Sequence, residues 1–448
     1  MIAASRERRL SVRALVAVVT TLLLAAALAH GLPAASATAA ENARSATDRS
    51  AEARSATARS QRWVGGWGTA MTPPGLSGYS ATGFADRTLR MVERLTAGGS
   101  AVRLRLSNAY GTSPLDLGAV TVARRAKGAA VEPGSSRTVR FGGQRSTTVP
   151  AGAEAVSDPV PLSTKADTDL VVSVHLPTAT GPTTWHPWAK QTNYLSGTGA
   201  GDHTGDVSGA AFGEKTTSWF FLDGVDVLAH RAKGTVVAFG DSITEGGVTA
   251  NDSNRRWTDE LGRRLAARPG GQRLSVVNKG IGGNRVLTDA GTQGQGNRNL
   301  GNSAESRFAR DALEQTRVSD IIVLEGTNDL GSDAGVHPGT PLTADQLIAG
   351  LGRLAQRAHA AGLRVHGGTI TPNGKLTARG ERMREDVNRW IRTSGAFDTV
   401  VDFDAALRDP ADPHRMLPAY DGGDTVHPND AGLRVMARTV DLSALGRG

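Results

Sequence analysis

Four short segments of the 448-residue chain carry residue types suited to acyl transfer. Gly240-Asp241-Ser242-Ile243-Thr244 follows the apolar run Val236–Phe239, so Ser242 stands where a buried strand turns into a glycine-containing bend that exposes its hydroxyl. Taken alone, a serine there serves equally well as a helix cap. A serine nucleophile needs a base, and Asp424-Thr425-Val426-His427-Pro428-Asn429 offers one. A carboxylate three residues before an imidazole reaches Nδ1–H, fixes the tautomer and leaves Nε2 for the hydroxyl. The other histidines lack such a carboxylate partner in a suitable loop, and His414, between Pro413 and Arg415, is the nearest rival. Acyl transfer also needs donors aimed at a developing oxyanion. The run Asn278-Lys279-Gly280-Ile281-Gly282-Gly283-Asn284 offers backbone N–H groups, and Gly326-Thr327-Asn328-Asp329 offers an amide side chain. Gly283 N–H and the Asn328 amide can join Ser242 N–H, although each segment alone is also an ordinary tight turn.

These segments must be brought together by the elements around them. From Trp63 to about His230 the pattern has period two: Leu104 and Leu106 alternate with Arg103 and Arg105, Val120 and Val122 flank Thr121, and Val172 and Val174 flank Ser173. Gly, Pro, Ser and Asn clusters separate these runs, which predicts a β-sandwich-like domain over 62–232. After Lys233 the apolar runs become continuous, as in Val236–Phe239 and Ile321–Leu324, and amphipathic helices fall between them. The clearest helix begins after Thr343, with Gln346 completing a capping box, Leu347, Leu351, Leu354 and Ala358 on one stripe, and a stop at Gly362. Further strands are expected at Leu274–Asn278, Leu363–Thr369 and Thr399–Phe403, and helices near 257–267, 302–315, 380–393 and 430–441. The alternation predicts an α/β domain over 233–448: a doubly wound, flavodoxin-like parallel sheet flanked by helices, with its ligand crevice at the carboxyl ends of the strands.

In this order, each at a strand's carboxyl end, the four segments resemble the SGNH (GDSL-type) hydrolase family over about 234–445. The resemblance implies Ser242 as nucleophile, Asp424 and His427 completing a triad, and Ser242, Gly283 and Asn328 as the oxyanion hole. Gly282 and Gly283 leave the donor's register open by one, and Gly283, next to Asn284, is preferred. Asn284, Thr327 and Asp329 are candidate substrate-binding positions. The motif reads Gly-Asp-Ser-Ile instead of the commoner Gly-Asp-Ser-Leu, an aliphatic exchange of equal volume. The β-rich region upstream makes the chain look like a secreted bacterial subgroup of that family.

Other chemistries fit poorly. There is no cysteine, which excludes a thiol nucleophile, a thiolate metal site and disulfides. Gly-x-Ser-x-Gly does not occur. Gly350-Leu351-Gly352-Arg353-Leu354-Ala355 resembles a dinucleotide fingerprint but lies inside a helix. Asp402 and Asp404 read as a strand end, not a metal site, and no cofactor or metal is expected. Trp185, His186 and Trp188 are assigned to core or interface packing in preference to sugar stacking.

Of the net charge of +8, the first forty residues supply +3 through Arg6, Arg8, Arg9 and Arg13 against Glu7, and no later basic cluster suggests nucleic acid. Residues 1–40 have the layout of a cleavable signal peptide: a basic start, the apolar stretch Ala14–Ala29 and small residues at Ala35–Ala40. That stretch is short for a membrane span, so the mature chain is expected to be extracellular without membrane insertion. Residues 41–61 repeat Ala-Arg-Ser-Ala-Thr without large apolar residues, as a disordered linker would. The expected activity is hydrolysis of carboxylic esters, foremost short acyl groups such as acetate on polysaccharide or oligosaccharide. The alternatives are a lipase or phospholipase, and a catalytically silent cell-wall or carbohydrate-binding protein.

Overall fold

The computed structural model describes residues 63–268, 273–290, 300–330 and 342–447. The leader and linker expected over 1–61 lie outside the described residues, as do 291–299 of the glycine-rich loop that follows Asp289.

Strands β1 (Trp63–Gly68), β2 (Arg87–Arg94), β3 (Gly99–Ser107), β4 (Val120–Arg124), β5 (Asp169–Leu176) and β6 (Leu222–Ala229) form two antiparallel sheets with shorter strands at their edges. One sheet runs β1-β6-β3 and the other β2-β5-β4. The alternating residues behave as a sandwich requires: Val102, Leu104 and Leu106 of β3 share one apolar core with Val120, Val122, Val172 and Val174 from the other sheet. The outer face of the second sheet departs from the expected polar exposure. Ala129, Val131 and Phe212 close over it, so Arg90 and Ser173 are also buried. Arg90 is accommodated by bonds to Ser173 Oγ and the carbonyls of Ala129 and Asp206, and its guanidinium lies 3.9 Å from the centre of the Phe212 ring.

Next come strands β7 (Ala232–Gly240), β8 (Arg273–Gly280), β9 (Val318–Leu324), β10 (Arg364–Gly368) and β11 (Thr399–Val401), all parallel and in the order β8-β7-β9-β10-β11. This is the doubly wound, flavodoxin-like order. The continuous apolar runs serve two layers: Val237, Phe239, Ile321 and Val323 enter one core, while Val236, Ala238, Ile322 and Leu324 enter the other. The helices are α1 (Ser242–Glu245), α2 (Trp257–Ala267), α3 (Ala304–Phe308), α4 (Thr327–Leu330), α5 (Ala344–Ala360), α6 (Ala378–Thr393), α7 (Phe403–Leu407) and α8 (Asp430–Thr439). Helix α5 carries the expected box, with Thr343 and Gln346 bonding each other's backbone N–H, and it buries Leu347, Leu351, Leu354 and Ala358. The single helix expected over 302–315 is instead α3 continued by a π-helical turn at Ala309–Leu313, where Arg307 and Arg310 both reach Asp311. No described helix is long and apolar enough to cross a membrane.

Strand β7 lies between β8 and β9, so the chain leaves their carboxyl ends at the sheet's topological switch point. Ser242 follows β7, the Gly282–Gly283 turn follows β8, and Asn328 follows β9.

Candidate active site

Ser242 opens α1, with Asp241 as its N-cap accepting from Ile243 N–H at 2.9 Å. The Ser242 Oγ lies 2.7 Å from His427 Nε2, across 185 residues of sequence. His427 Nδ1 lies 2.6 Å from Asp424 Oδ2, and the His427 and Val426 amides donate to Asp424 Oδ1 at 2.8 and 3.0 Å. Burial would raise the Asp424 pKa, but the bonds from the His427 ring and from these two amides prevail and bring it to about 2. The carboxylate is therefore ionised and faces Nδ1, the arrangement that directs Nε2 to the hydroxyl. Gly247 backs the imidazole: a Cβ there would stand 3.0 Å from His427 Cδ2.

The two glycines of the turn differ in how their N–H groups are engaged. Gly282 N–H is engaged by Glu245 Oε1 at 3.1 Å, whereas Gly283 N–H has no hydrogen-bond partner among the described residues. Gly283 has φ of 71°, and a Cβ there would meet Leu300 Cδ2 at 2.3 Å, so both conformation and space require glycine. The Asn328 Nδ2 donates one hydrogen to Asn284 O at 2.9 Å and keeps the other. Ser242 N–H likewise has no partner among the described residues.

Asn284, Thr327 and Asp329, expected to touch substrate, are enclosed by the fold instead. Asn284 donates to Leu300 O and Asn302 O and accepts from Arg307 Nε; Thr327 Oγ1 accepts from Asn373; and Asp329 accepts from Val286 N–H. These bonds hold the loops that carry Gly283 and Asn328. The residue at their centre, Arg307, was not anticipated. Its fully buried guanidinium donates to Gly240 O, Lys279 O, Asn284 Oδ1, Asp311 Oδ2 and Glu325 Oε1, tying the ends of β7 and β8 to the Gly282–Asn284 loop. An arginine in a helix carries no sequence signal of that role.

The remaining candidates stand elsewhere. His414 bonds Glu381 at 2.8 Å, Asp402 caps α7, and both Asp402 and Asp404 bind Arg392, as a strand end would. Trp185 stacks on Phe220 and His186 is buried, matching the packing assignment. Trp188 departs from it: the residue is 38% exposed, and its ring carbons would stand 2.7 and 2.8 Å from a Cβ at Gly282 in the glycine turn.

Residues 238–435 match the model of the GDSL-like Lipase/Acylhydrolase family, a span that contains every residue of this arrangement. That region belongs to this family. The protein is accordingly a carboxylic ester hydrolase. No curated protein matches the chain. Among solved structures it is similar to an acetylxylan esterase from Geobacillus stearothermophilus, at 22% identity over 47% of this chain and 93% of that one, with a TM-score of 0.35. An alpha/beta hydrolase enzyme from the metagenome of Lake Arreo, Spain, is similar at 23% identity over 48% of this chain and 95% of that one, with a TM-score of 0.36. A GDSL-like lipase from Bacteroides thetaiotaomicron matches at 18% identity over 47% and 87%, with a TM-score of 0.33.

Proposed function

We propose that the protein is an exported serine esterase that removes short acyl groups, acetate foremost, from polysaccharide or oligosaccharide. The observation that carries the catalytic part is the unbroken line Asp424–His427–Ser242, with contacts of 2.6 and 2.7 Å. In this reading His427 takes the proton of Ser242 as Oγ adds to the ester carbonyl. The oxyanion is met by the N–H groups of Ser242 and Gly283 and by the Asn328 amide. Collapse expels the alcohol, which receives the proton from His427, and water then resolves the acyl-enzyme by the same route. Export is supported by the basic and apolar layout of residues 1–40.

Two features support a sugar ester. Trp188 presents an exposed indole at the oxyanion turn, a flat apolar surface suited to the C–H face of a sugar ring. The loop from Asp289 to Asn302 carries Leu300 as its only large apolar residue, a poor lid for an acyl chain.

The test of the catalytic assignment is Ser242→Ala. Its expected outcome is a loss of at least about a thousandfold in kcat on p-nitrophenyl acetate with an unchanged circular dichroism spectrum. Near-normal turnover by that variant would refute the assignment. Substrate class is tested with nitrophenyl esters of increasing chain length and with acetylated xylan. Acetate should be preferred and xylan deacetylated, and a preference for eight or more carbons would point to a lipid substrate instead.

A further inference from the structure

A buried histidine of the two-sheet region stands in close polar contact with a carboxylate that bonds the Gly282 amide. His186 Nδ1 lies 2.8 Å from Ala70 O, and its Nε2 lies 3.2 Å from Glu245 Oε1. The same carboxylate oxygen accepts from Gly282 N–H at 3.1 Å. A carbonyl only accepts, so Nδ1 must carry the hydrogen that points to Ala70. Nε2 then faces the Glu245 carboxylate across 3.2 Å. Both side chains are enclosed, at 3% and 5% exposure, so the contact is held away from solvent.

We propose that His186 is a positioning residue for catalysis: through Glu245 it fixes the Gly282 amide, and with it the neighbouring Gly283 N–H, relative to Ser242. The inference rests on the assignment of Ser242 and Gly283 above. Consecutive glycines are the most freely rotating residues in a chain, so a donor carried on Gly282-Gly283 needs an outside tether to stay aimed. Glu245 is well placed to be that tether, because it sits on α1, three residues after Ser242. Its surroundings are braced as well. Arg256 Nε donates to Glu245 O at 2.8 Å, the same guanidinium donates to Ala189 O, and Asp252 N–H donates to Lys190 O at 3.0 Å. The segment 186–190 of the β-rich region and the turn after Ser242 are thus held as one piece, which makes the β-rich region part of the catalytic apparatus.

The full-length protein tests this, with kcat and KM on p-nitrophenyl acetate for His186→Ala, His186→Gln, Glu245→Ala, the double alanine variant and Ser242→Ala. His186→Ala should lower kcat about tenfold with KM within about twofold, since the loss is one of donor alignment and not of binding. His186→Gln, whose amide N–H reaches toward Glu245, should recover most of the loss. The double variant should be no slower than Glu245→Ala alone, because His186 acts only through that carboxylate. Wild-type kcat in His186→Ala, or losses that multiply in the double variant, would overturn the inference while Ser242→Ala still shows the ester site to be as assigned. Activity surviving in Ser242→Ala would overturn both. Where His186→Ala does not fold, Glu245→Gln decides: it still accepts from Gly282 and must exceed Glu245→Ala in kcat, and equality overturns the proposal.

Discussion

The amides of Val426 and His427 both point at one oxygen of Asp424, and the imidazole takes the other, which is why a partly exposed carboxylate is held at about 2. The folded value lies below the ordinary 3.8, so its stabilisation of the loop is fully present above about pH 4 and fades as pH falls toward 2. Asp424→Asn keeps the backbone acceptor but presents an N–H donor or a weaker acceptor to Nδ1, disturbing the tautomer without removing the base. It should therefore reduce kcat less than His427→Ala, by roughly ten- to a hundredfold between the two, as read from steady-state hydrolysis at one pH. The reverse order would mean that another group orients the imidazole. Gly247 makes a second test at this scale. Its φ is 46° and a Cβ would stand 3.0 to 3.2 Å from three atoms of His427, so Gly247→Ala both strains the backbone and crowds the ring. The expected result is a stability loss of about 1–2 kcal/mol in urea unfolding together with a fall in kcat that exceeds any change in KM.

At the scale of elements, Asp241, Glu325 and Asp329 are buried near one another at the carboxyl ends of β7 and β9, with Glu325 paired to the Arg307 guanidinium. Burial raises Asp241 and Asp329 to about 7 and Glu325 well above its usual range, and for Asp241 and Glu325 the nearby carboxylates add to the effect. A raised carboxyl keeps its proton in the folded state after the unfolded chain has lost it. Its contribution to stability is therefore largest in acid and declines as pH rises from about 4 to about 7. Asp329→Asn should flatten that decline: melting temperatures at pH 5 and pH 8 should differ less than in the wild type, and an unchanged difference would show that Asp329 is ionised throughout. Arg307 and Glu325 give no signal in the sequence, whereas Ser242, Asp424 and His427, which the fold brings within 2.7 and 2.6 Å of one another in turn, are singled out there. The proposed triad is read from residue type at a strand end and from local spacing, and α5 from its stripe and cap. Arg307, Glu245 and the closed outer face around Arg90 depend on which loops meet in space, and no spacing along the chain encodes that.

The whole molecule raises the question of why a hydrolytic α/β region carries a β-rich partner, and the contacts between them answer part of it. Lys279, in β8 just ahead of the Gly282–Gly283 turn, is buried and sends its ammonium across to Thr69 O at 2.6 Å and Asp223 O at 3.3 Å. Thr96 bonds both the N–H and the carbonyl of Val276, and Gly65 N–H bonds Thr235 Oγ1 at 2.9 Å. Glycines let β1 approach this closely, since a Cβ at Gly65 would stand 2.8 Å from Val277 Cγ1. Polar groups matched this specifically across a buried contact leave unsatisfied partners on both sides when either region unfolds alone. The two regions are therefore expected to unfold together. Urea denaturation followed by tryptophan fluorescence and by far-ultraviolet dichroism should give one coincident transition. Lys279→Met, which keeps the length of the side chain but strands two carbonyls, should lower stability by about 1–3 kcal/mol without splitting that transition. Two resolved transitions in the wild type would mean that the β-rich region folds independently and that these contacts contribute little to holding the ester site.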